Sequence, residues 1–171
     1  ISIRYPRGTG SAINWRKDFS EVPIGKGRKV KDGTDLAILS IGAIGTEVME
    51  ATNKLEKQGV SVAHYDMRFV KPLDDVLLHE IFGKFQGVVT VEDGTIQGGM
   101  GSAILEWMAD HGYSSKVVRL GVPDRWIEHG TQAELYAECG YDSASIVEES
   151  LKLRDVIVCS DIDDKSGIQS A

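Results

Sequence analysis

The chain has 171 residues, of which 42% are hydrophobic and 26% charged, and its formal net charge is −7. These values are typical of a soluble globular domain that is long enough to bury a core. The negative charge, with no Lys/Arg cluster beyond residues 26–31, argues against a nucleic-acid-binding protein. No apolar run is long enough to span a bilayer and no signal peptide is visible, so we expect no membrane partner and a cytoplasmic location. Cys139 and Cys159 lie far apart and predict neither a disulfide framework nor a zinc site.

Strands and helices are predicted to alternate along the chain. A strand is predicted at 1–5, and because the chain begins inside it with Ile1, we expect this sequence to be a fragment. Residues 9–22 read as a linker rich in Gly, Ser and charge. The later predicted strands are 28–31, 36–41, 60–69, 87–92 and 117–122, and the later predicted helices are 44–57, 74–85, 98–111, 131–139 and 142–154.

This alternation predicts a parallel sheet with helices on both faces. The run LAILSI at 36–41 is apolar throughout, as expected for a strand that is covered on both sides. Residues 23–158 form the predicted domain. Residues 159–171 are polar and poor in apolar side chains, which predicts a disordered tail.

Four loops follow the predicted strands at the edge where parallel sheets collect ligands, at 42–45, 68–73, 92–99 and 121–130. In the third, Gly98, Gly99 and Gly101 stand at the start of a helix, where free N–H groups bind anions. The alternative, which we favour, is that these glycines allow close packing on a strand or a second subunit. Glu92 and Asp93 would repel an anion there.

The other candidate residues are cations and a histidine. His129 could shuttle protons or orient a substrate, although a structural role near the helix from Thr131 is favoured. Arg68 and Lys71 flank a stiff Pro72 loop that suits a subunit or domain interface, with phosphate contact as the alternative. Arg4 and Arg7 end the first strand, where an arginine fork suits a phosphate or carboxylate but more often forms salt bridges. No His, Cys, Asp and Glu set has the spacing of a metal site.

Four segments of the chain resemble the 1-deoxy-D-xylulose-5-phosphate synthase family. These are IRYPRG at 3–8, DMRFVKPLD at 66–74, TVEDGTIQGGMGS at 90–102 and VRLGVPDRWIEHG at 118–130. They occur in the family's order, and the similarity extends over most of residues 1–151. The resemblance implies a transketolase C-terminal-like fold for 23–158, with three α/β/α layers and a mostly parallel five-stranded sheet whose antiparallel edge strand is 28–31. Residues 1–8 would then end the preceding pyrimidine-binding domain.

The resemblance also implies a function for the whole enzyme. That enzyme joins pyruvate to glyceraldehyde 3-phosphate with loss of CO2, using thiamine diphosphate and Mg2+, and its product feeds isoprenoid and thiamine synthesis. Cofactor and metal would be bound by upstream domains, so this fragment would hold no catalytic residue and be inactive alone. It would serve homodimerisation and packing against its own N-terminal domains. Arg7 matches the family arginine that contacts the phosphate of glyceraldehyde 3-phosphate.

One departure from the family pattern is visible after the third buried strand. The family commonly has Glu-Glu-Asn where this chain has Glu92, Asp93 and Gly94. We expect Gly94 to take over a left-handed turn position that Asn can fill. Two other interpretations remain open: a free-standing α/β module that binds a small anion, and an interaction subunit of a split transketolase-like or 2-oxoacid dehydrogenase-type enzyme.

Overall fold

The computed structural model describes residues 20–166, with side chains described up to residue 160. The predicted strand at 1–5, Arg4, Arg7 and most of the predicted linker lie outside the described residues. The strands are β1 (Arg28–Lys31), β2 (Leu36–Ile41), β3 (Val62–Asp66), β4 (Gly87–Thr95) and β5 (Lys116–Val122). The helices are α1 (Gly45–Lys57), α2 (Asp75–Lys84), α3 (Met100–Asp110), α4 (Gln132–Cys139) and α5 (Ser143–Ser166). A short 3-10 helix, Gly42–Ile44, precedes α1.

The five strands form one sheet in the order β1-β3-β2-β4-β5. Strands β2 to β5 are parallel, and β1 pairs antiparallel with β3 at the edge, with Arg28 opposite Asp66. This confirms the predicted fold class, including the antiparallel edge strand. None of the helices in the described part of the chain combines the length and the hydropathy of a membrane span.

Two hydrophobic cores lie on opposite faces of the sheet. One core packs α1, α4 and α5 against the sheet, and the other packs α2 and α3. Alternate residues of β2 supply the two cores, with Leu36 and Ile38 in the first and Ala37 and Leu39 in the second. This division explains why β2 is apolar throughout, since both of its faces are covered.

Local sequence signals set the helix ends. Gly59 follows α1 with a φ of +78°, which is the left-handed position that favours glycine after a helix. Thr131 begins α4 with a capping box, in which its side chain accepts from Glu134 N–H and the Glu134 carboxylate accepts from Thr131 N–H. The predicted end of the first helix at residue 57 and the predicted start of a helix at Thr131 are confirmed.

Two expectations need correction. Gly94 does not occupy a left-handed turn, because β4 continues in extended conformation through Thr95. Helix α5 continues to Ser166 instead of ending at Arg154, while the disordered tail expected at 159–171 stays a prediction. The extension is held at its start, because Ile157 packs against a core and Lys116 Nζ lies 2.7 Å from Ser160 Oγ.

Candidate functional site

The carboxyl ends of the parallel strands define one edge of the sheet, here called the carboxyl edge. The chain also enters the domain at this edge, since β1 runs antiparallel and its first residue, Arg28, pairs with Asp66 at the end of β3. All four predicted strand-end loops therefore lie at the same edge as the entry segment. We take this edge as the candidate site.

Asp74 joins the entry segment to the start of α2. Its carboxylate accepts hydrogen bonds from Leu77 N–H as the helix N-cap, from Gly27 N–H at 3.1 Å and from Lys26 Nζ at 3.1 Å. Burial alone would raise the pKa of Asp74, but these three donors outweigh it and lower the pKa. The carboxylate is therefore ionised and structural.

Glu92 occupies the start of α3. Its side chain is 6% exposed and accepts hydrogen bonds from Met100 N–H at 2.7 Å and Gly101 N–H at 2.9 Å. These are N–H groups that an external phosphate would need at this helix start. The Glu92 carboxylate therefore occupies the position at the helix start where an external anion would bind. We expected Glu92 only to repel an anion, and this direct contact with the helix was not predicted.

The glycines at the start of α3 allow it to pack closely on β4. A Cβ at Gly101 would lie 2.6 Å from Thr90 Oγ1, and a Cβ at Gly99 would overlap the Glu92 carboxylate and the Thr95 carbonyl. Gly98 instead has open space around it and a φ of +76°. The predicted close packing on a strand is therefore observed within the chain, while a role for Gly98, Gly99 and Gly101 at a subunit interface stays a prediction.

Arg119 braces the loop between β4 and α3. Its Nη1 donates to Ile96 O at 2.7 Å and to Ser102 Oγ at 2.8 Å, and Ser102 Oγ donates to Ile96 O. Sequence reasoning missed this residue. The available signal was a single arginine within the otherwise apolar strand VRLGV.

Asp93 connects β4 to α4 and to the start of α5. It accepts hydrogen bonds from the hydroxyls of Tyr136 at 3.2 Å and Tyr141 at 3.1 Å. Burial, followed by the neighbouring Asp93 charge, raises the pKa of Tyr136 to about 12 and also raises that of Tyr141. Both hydroxyls therefore stay protonated, and Asp93 has a structural role at the position where the family pattern changes.

Arg68 lies in the loop after β3 with a φ of +57°, which is unusual for a residue other than glycine. Its N–H donates to Asp66 Oδ1 at 3.2 Å, while Arg28 Nη2 lies 3.0 Å from Asp66 Oδ2. Lys71 is exposed at the surface of the same loop. Arg68 is thus held within its own chain, and the interface role predicted for Arg68 and Lys71 stays a prediction.

His129 lies in the loop between β5 and α4, where Trp126, Ile127, Glu128 and His129 line a shallow cleft. Its side chain is exposed, and within the described part of the chain its ring makes no hydrogen bond. The cap of α4 comes from Thr131 and Glu134 instead. The structure places His129 at the surface of the carboxyl edge without a nucleophile bonded to it.

Ser40 and His64 form a polar pair that is buried between β2, β3 and α1. Ser40 Oγ lies 2.8 Å from His64 Nε2, and His64 Nδ1 is buried without a hydrogen-bond partner among the described residues. Burial lowers the pKa of His64 to about 4, with a smaller opposing contribution from Asp66. His64 is therefore neutral at pH 7, as a structural histidine.

Four carboxylates at this edge are engaged by groups of their own chain. Asp66, Asp74, Glu92 and Asp93 each accept the hydrogen bonds described above, so none of these four is free to act as a general base. Among residues 20–160, no group of three or more His, Cys, Asp and Glu side chains could hold a metal ion. This edge is organised for packing and loop positioning.

Comparisons with known proteins identify the fold and its relatives. The family model described as "Transketolase, C-terminal domain" matches residues 25–146. A 1-deoxy-D-xylulose-5-phosphate synthase of Cytophaga hutchinsonii is 56% identical over 92% of the chain, and one of Bacteroides thetaiotaomicron is 55% identical over 88%. The chain spans 25% and 23% of those relatives. A solved structure titled "Split gene transketolase, inactive beta4 tetramer" matches with a TM-score of 0.74 and 31% identity, over 80% of this chain and 44% of that one.

Proposed function

Because this chain belongs to the transketolase C-terminal domain family, we propose that it is the C-terminal domain of a thiamine diphosphate-dependent 1-deoxy-D-xylulose-5-phosphate synthase. The whole protein would condense pyruvate with glyceraldehyde 3-phosphate, releasing CO2 and supplying isoprenoid and thiamine synthesis. The observation that carries the proposal is the identity of 50–56% to seven curated synthases across most of the chain. We place the enzyme in the cytoplasm.

The described residues do not fit thiamine diphosphate or its magnesium ion. The glycine-rich start of α3 at the carboxyl edge gives the N–H groups of Met100 and Gly101 to Glu92, and the described residues contain no candidate metal-ligand group. We therefore assign cofactor and metal to other domains of the whole enzyme. The role of this domain is to hold those domains and the homodimer together.

Arg7 is the residue we assign to substrate. It matches the family arginine that contacts the phosphate of glyceraldehyde 3-phosphate, and its guanidinium can bind a phosphate with two parallel hydrogen bonds. We assign no substrate role to Arg4. In this proposal, the residues described at the carboxyl edge stabilise the fold or the packing of the domain, and none takes part in the synthase reaction.

The test compares the product of the whole gene with the 171-residue chain. Both are supplied with pyruvate, glyceraldehyde 3-phosphate, thiamine diphosphate and Mg2+, and 1-deoxy-D-xylulose 5-phosphate is measured by mass spectrometry. We expect product from the whole protein, none when pyruvate is omitted, and none from the 171-residue chain. Product from the short chain, or a whole protein that transfers ketol groups between sugars but does not use pyruvate, would contradict the proposal.

A second candidate is that the domain belongs to a subunit whose separate partner carries the thiamine site. The observation that favours it is the likeness to a split-gene transketolase. In that case the activity would appear only after the partner is added to the purified gene product. The same assay, with and without a co-purified partner, separates the two candidates.

A further inference from the structure

Trp126 is the most exposed large apolar side chain among the described residues. It is 88% exposed at the carboxyl edge, and with Ile127, Glu128 and His129 it lines a shallow cleft. An indole buries a large apolar area and carries one N–H donor, so tryptophan is enriched among the residues that anchor protein interfaces. A tryptophan left this open has contact surface available for a partner.

The loop that carries Trp126 is fixed at both ends. On one side Arg125 Nη1 lies 3.1 Å from Glu138 Oε1 and its Nη2 donates to Glu138 O. On the other side Thr131 and Glu134 form the capping box of α4. The loop is therefore tied to α4 on either side of the exposed residues.

Helix α4 is in turn tied to the sheet. Tyr136 packs in a core and its hydroxyl donates to Asp93 in β4, and Gln132 Nε2 lies 2.6 Å from Tyr136 Oη. Trp126 is thus presented by a loop and helix whose positions are already set. Such preorganisation lowers the entropy cost of binding a partner.

The position of the entry segment indicates which partner is within reach. Residues 20–28 arrive at the carboxyl edge beside β3, held by the Lys26 and Gly27 bonds to Asp74. These residues lead into β1, and Trp126 follows β5, four strand spacings away along the carboxyl edge, which is about 19 Å at the usual strand spacing. Polypeptide that enters beside β3 is tethered close enough to cover Trp126, and tethering gives it a high effective concentration.

We infer that Trp126, with Ile127 and His129, anchors this domain to the domain that precedes it in the same polypeptide. The inference rests on the proposed function, because it requires the upstream domains of the synthase. Three quarters of the length of the curated relatives lies outside the region that this chain matches, which supplies the polypeptide that would cover the loop. The contact would set the position of the edge that carries Arg68 and Lys71 relative to the upstream domains.

The test is site-specific photo-crosslinking in the product of the whole gene. Trp126→p-benzoylphenylalanine is irradiated, and the linked peptides are identified by mass spectrometry. We expect a link to a peptide upstream of the domain, with the mass of a single polypeptide on a denaturing gel. Val156→p-benzoylphenylalanine is the matched control, since Val156 is exposed on α5, and it should give no such link.

Two outcomes overturn the inference. A crosslinked product of twice the monomer mass would show that a second copy covers Trp126. No crosslink above that of the Val156 control would show that the loop faces solvent. The synthase assay on the same unirradiated protein separates the two proposals: activity without an upstream crosslink contradicts only this inference, whereas an upstream crosslink without activity contradicts only the proposed function.

Discussion

The Glu92 carboxylate lies 2.7 Å from the backbone nitrogen of Met100 and fills the start of α3. It is buried, and it accepts a second hydrogen bond from Gly101 N–H. A helix N-terminus favours negative charge, so this side chain both caps α3 and completes the turn after β4. The glycine-rich segment at 98–101 suggests a phosphate-binding site in the sequence, but in the fold its N–H groups bind the Glu92 side chain of the same chain.

Glu92→Gln should destabilise the domain. The amide has only one oxygen, so one of the two helix N–H groups would face an NH2 group instead of an acceptor. We expect a loss of about 2 kcal/mol in the free energy of unfolding, measured by urea denaturation. Glu106→Gln is the control, because Glu106 is exposed on the same helix. Equal stability of the two variants would contradict the capping role.

Gly99→Ala should destabilise the domain, whereas Gly83→Ala should not. The new Cβ would overlap the Thr95 carbonyl, which is backbone and cannot rotate away, as well as the Glu92 carboxylate. We expect a loss of at least about 2 kcal/mol, measured as a shift of the urea midpoint. Gly83→Ala in α2 is the matched control, since nothing lies within 4 Å of its Cβ. That change should stabilise by up to about 1 kcal/mol, and the reverse order would refute the close packing of α3.

His64 should make stability depend on pH. Burial lowers the pKa of its folded-state imidazole to about 4 from its ordinary value of 6.5. The unfolded chain therefore binds the proton more readily, so stability is full above pH 6.5 and falls as the pH drops from 6.5 towards 4. The loss would reach roughly 3 kcal/mol.

The measurement is urea denaturation at several pH values between 7 and 4.5. His64→Gln can keep a hydrogen bond to Ser40 but cannot take up a proton, so its stability should decline less over this range. A decline as steep as that of the unmodified chain would show that the pH dependence arises elsewhere.

Arg7→Ala should weaken the binding of glyceraldehyde 3-phosphate in the whole enzyme. Loss of a guanidinium from a phosphate contact should raise the KM for this substrate by about tenfold or more, with a smaller effect on the KM for pyruvate. Arg4→Ala is the neighbouring control and should change neither KM to the same degree. Steady-state kinetics with each substrate varied in turn makes the comparison, and an unchanged KM for glyceraldehyde 3-phosphate would remove Arg7 from the substrate site.

The strands and helices could be predicted because local pattern determines them. An apolar run identified β2, and Thr131, a residue type that favours the N-cap, marked the start of α4. The contacts at the carboxyl edge could not be predicted in the same way. Asp93 meets residues 43 and 48 positions away, and Ser40 meets His64 across 24 positions. Such pairs depend on sheet order, which sequence periodicity does not contain.

The two corrections have the same origin. Gly94 was expected in a left-handed turn because of its residue type, yet pairing of Thr95 with Val122 extends β4 through this position. Helix α5 was expected to end at Arg154, yet Lys116 on β5 donates to Ser160 and so supports α5 beyond that end. In both places a tertiary contact overrides the local preference.

The intact mass of the natural gene product tests the central claim most directly. The chain matches about a quarter of the length of its curated relatives, so we predict a mass about four times 18.7 kDa and a thiamine-binding region encoded upstream of Ile1. A natural product of 18.7 kDa, translated from a start codon next to Ile1, would contradict the account, because the domain would then lack the polypeptide that carries the chemistry.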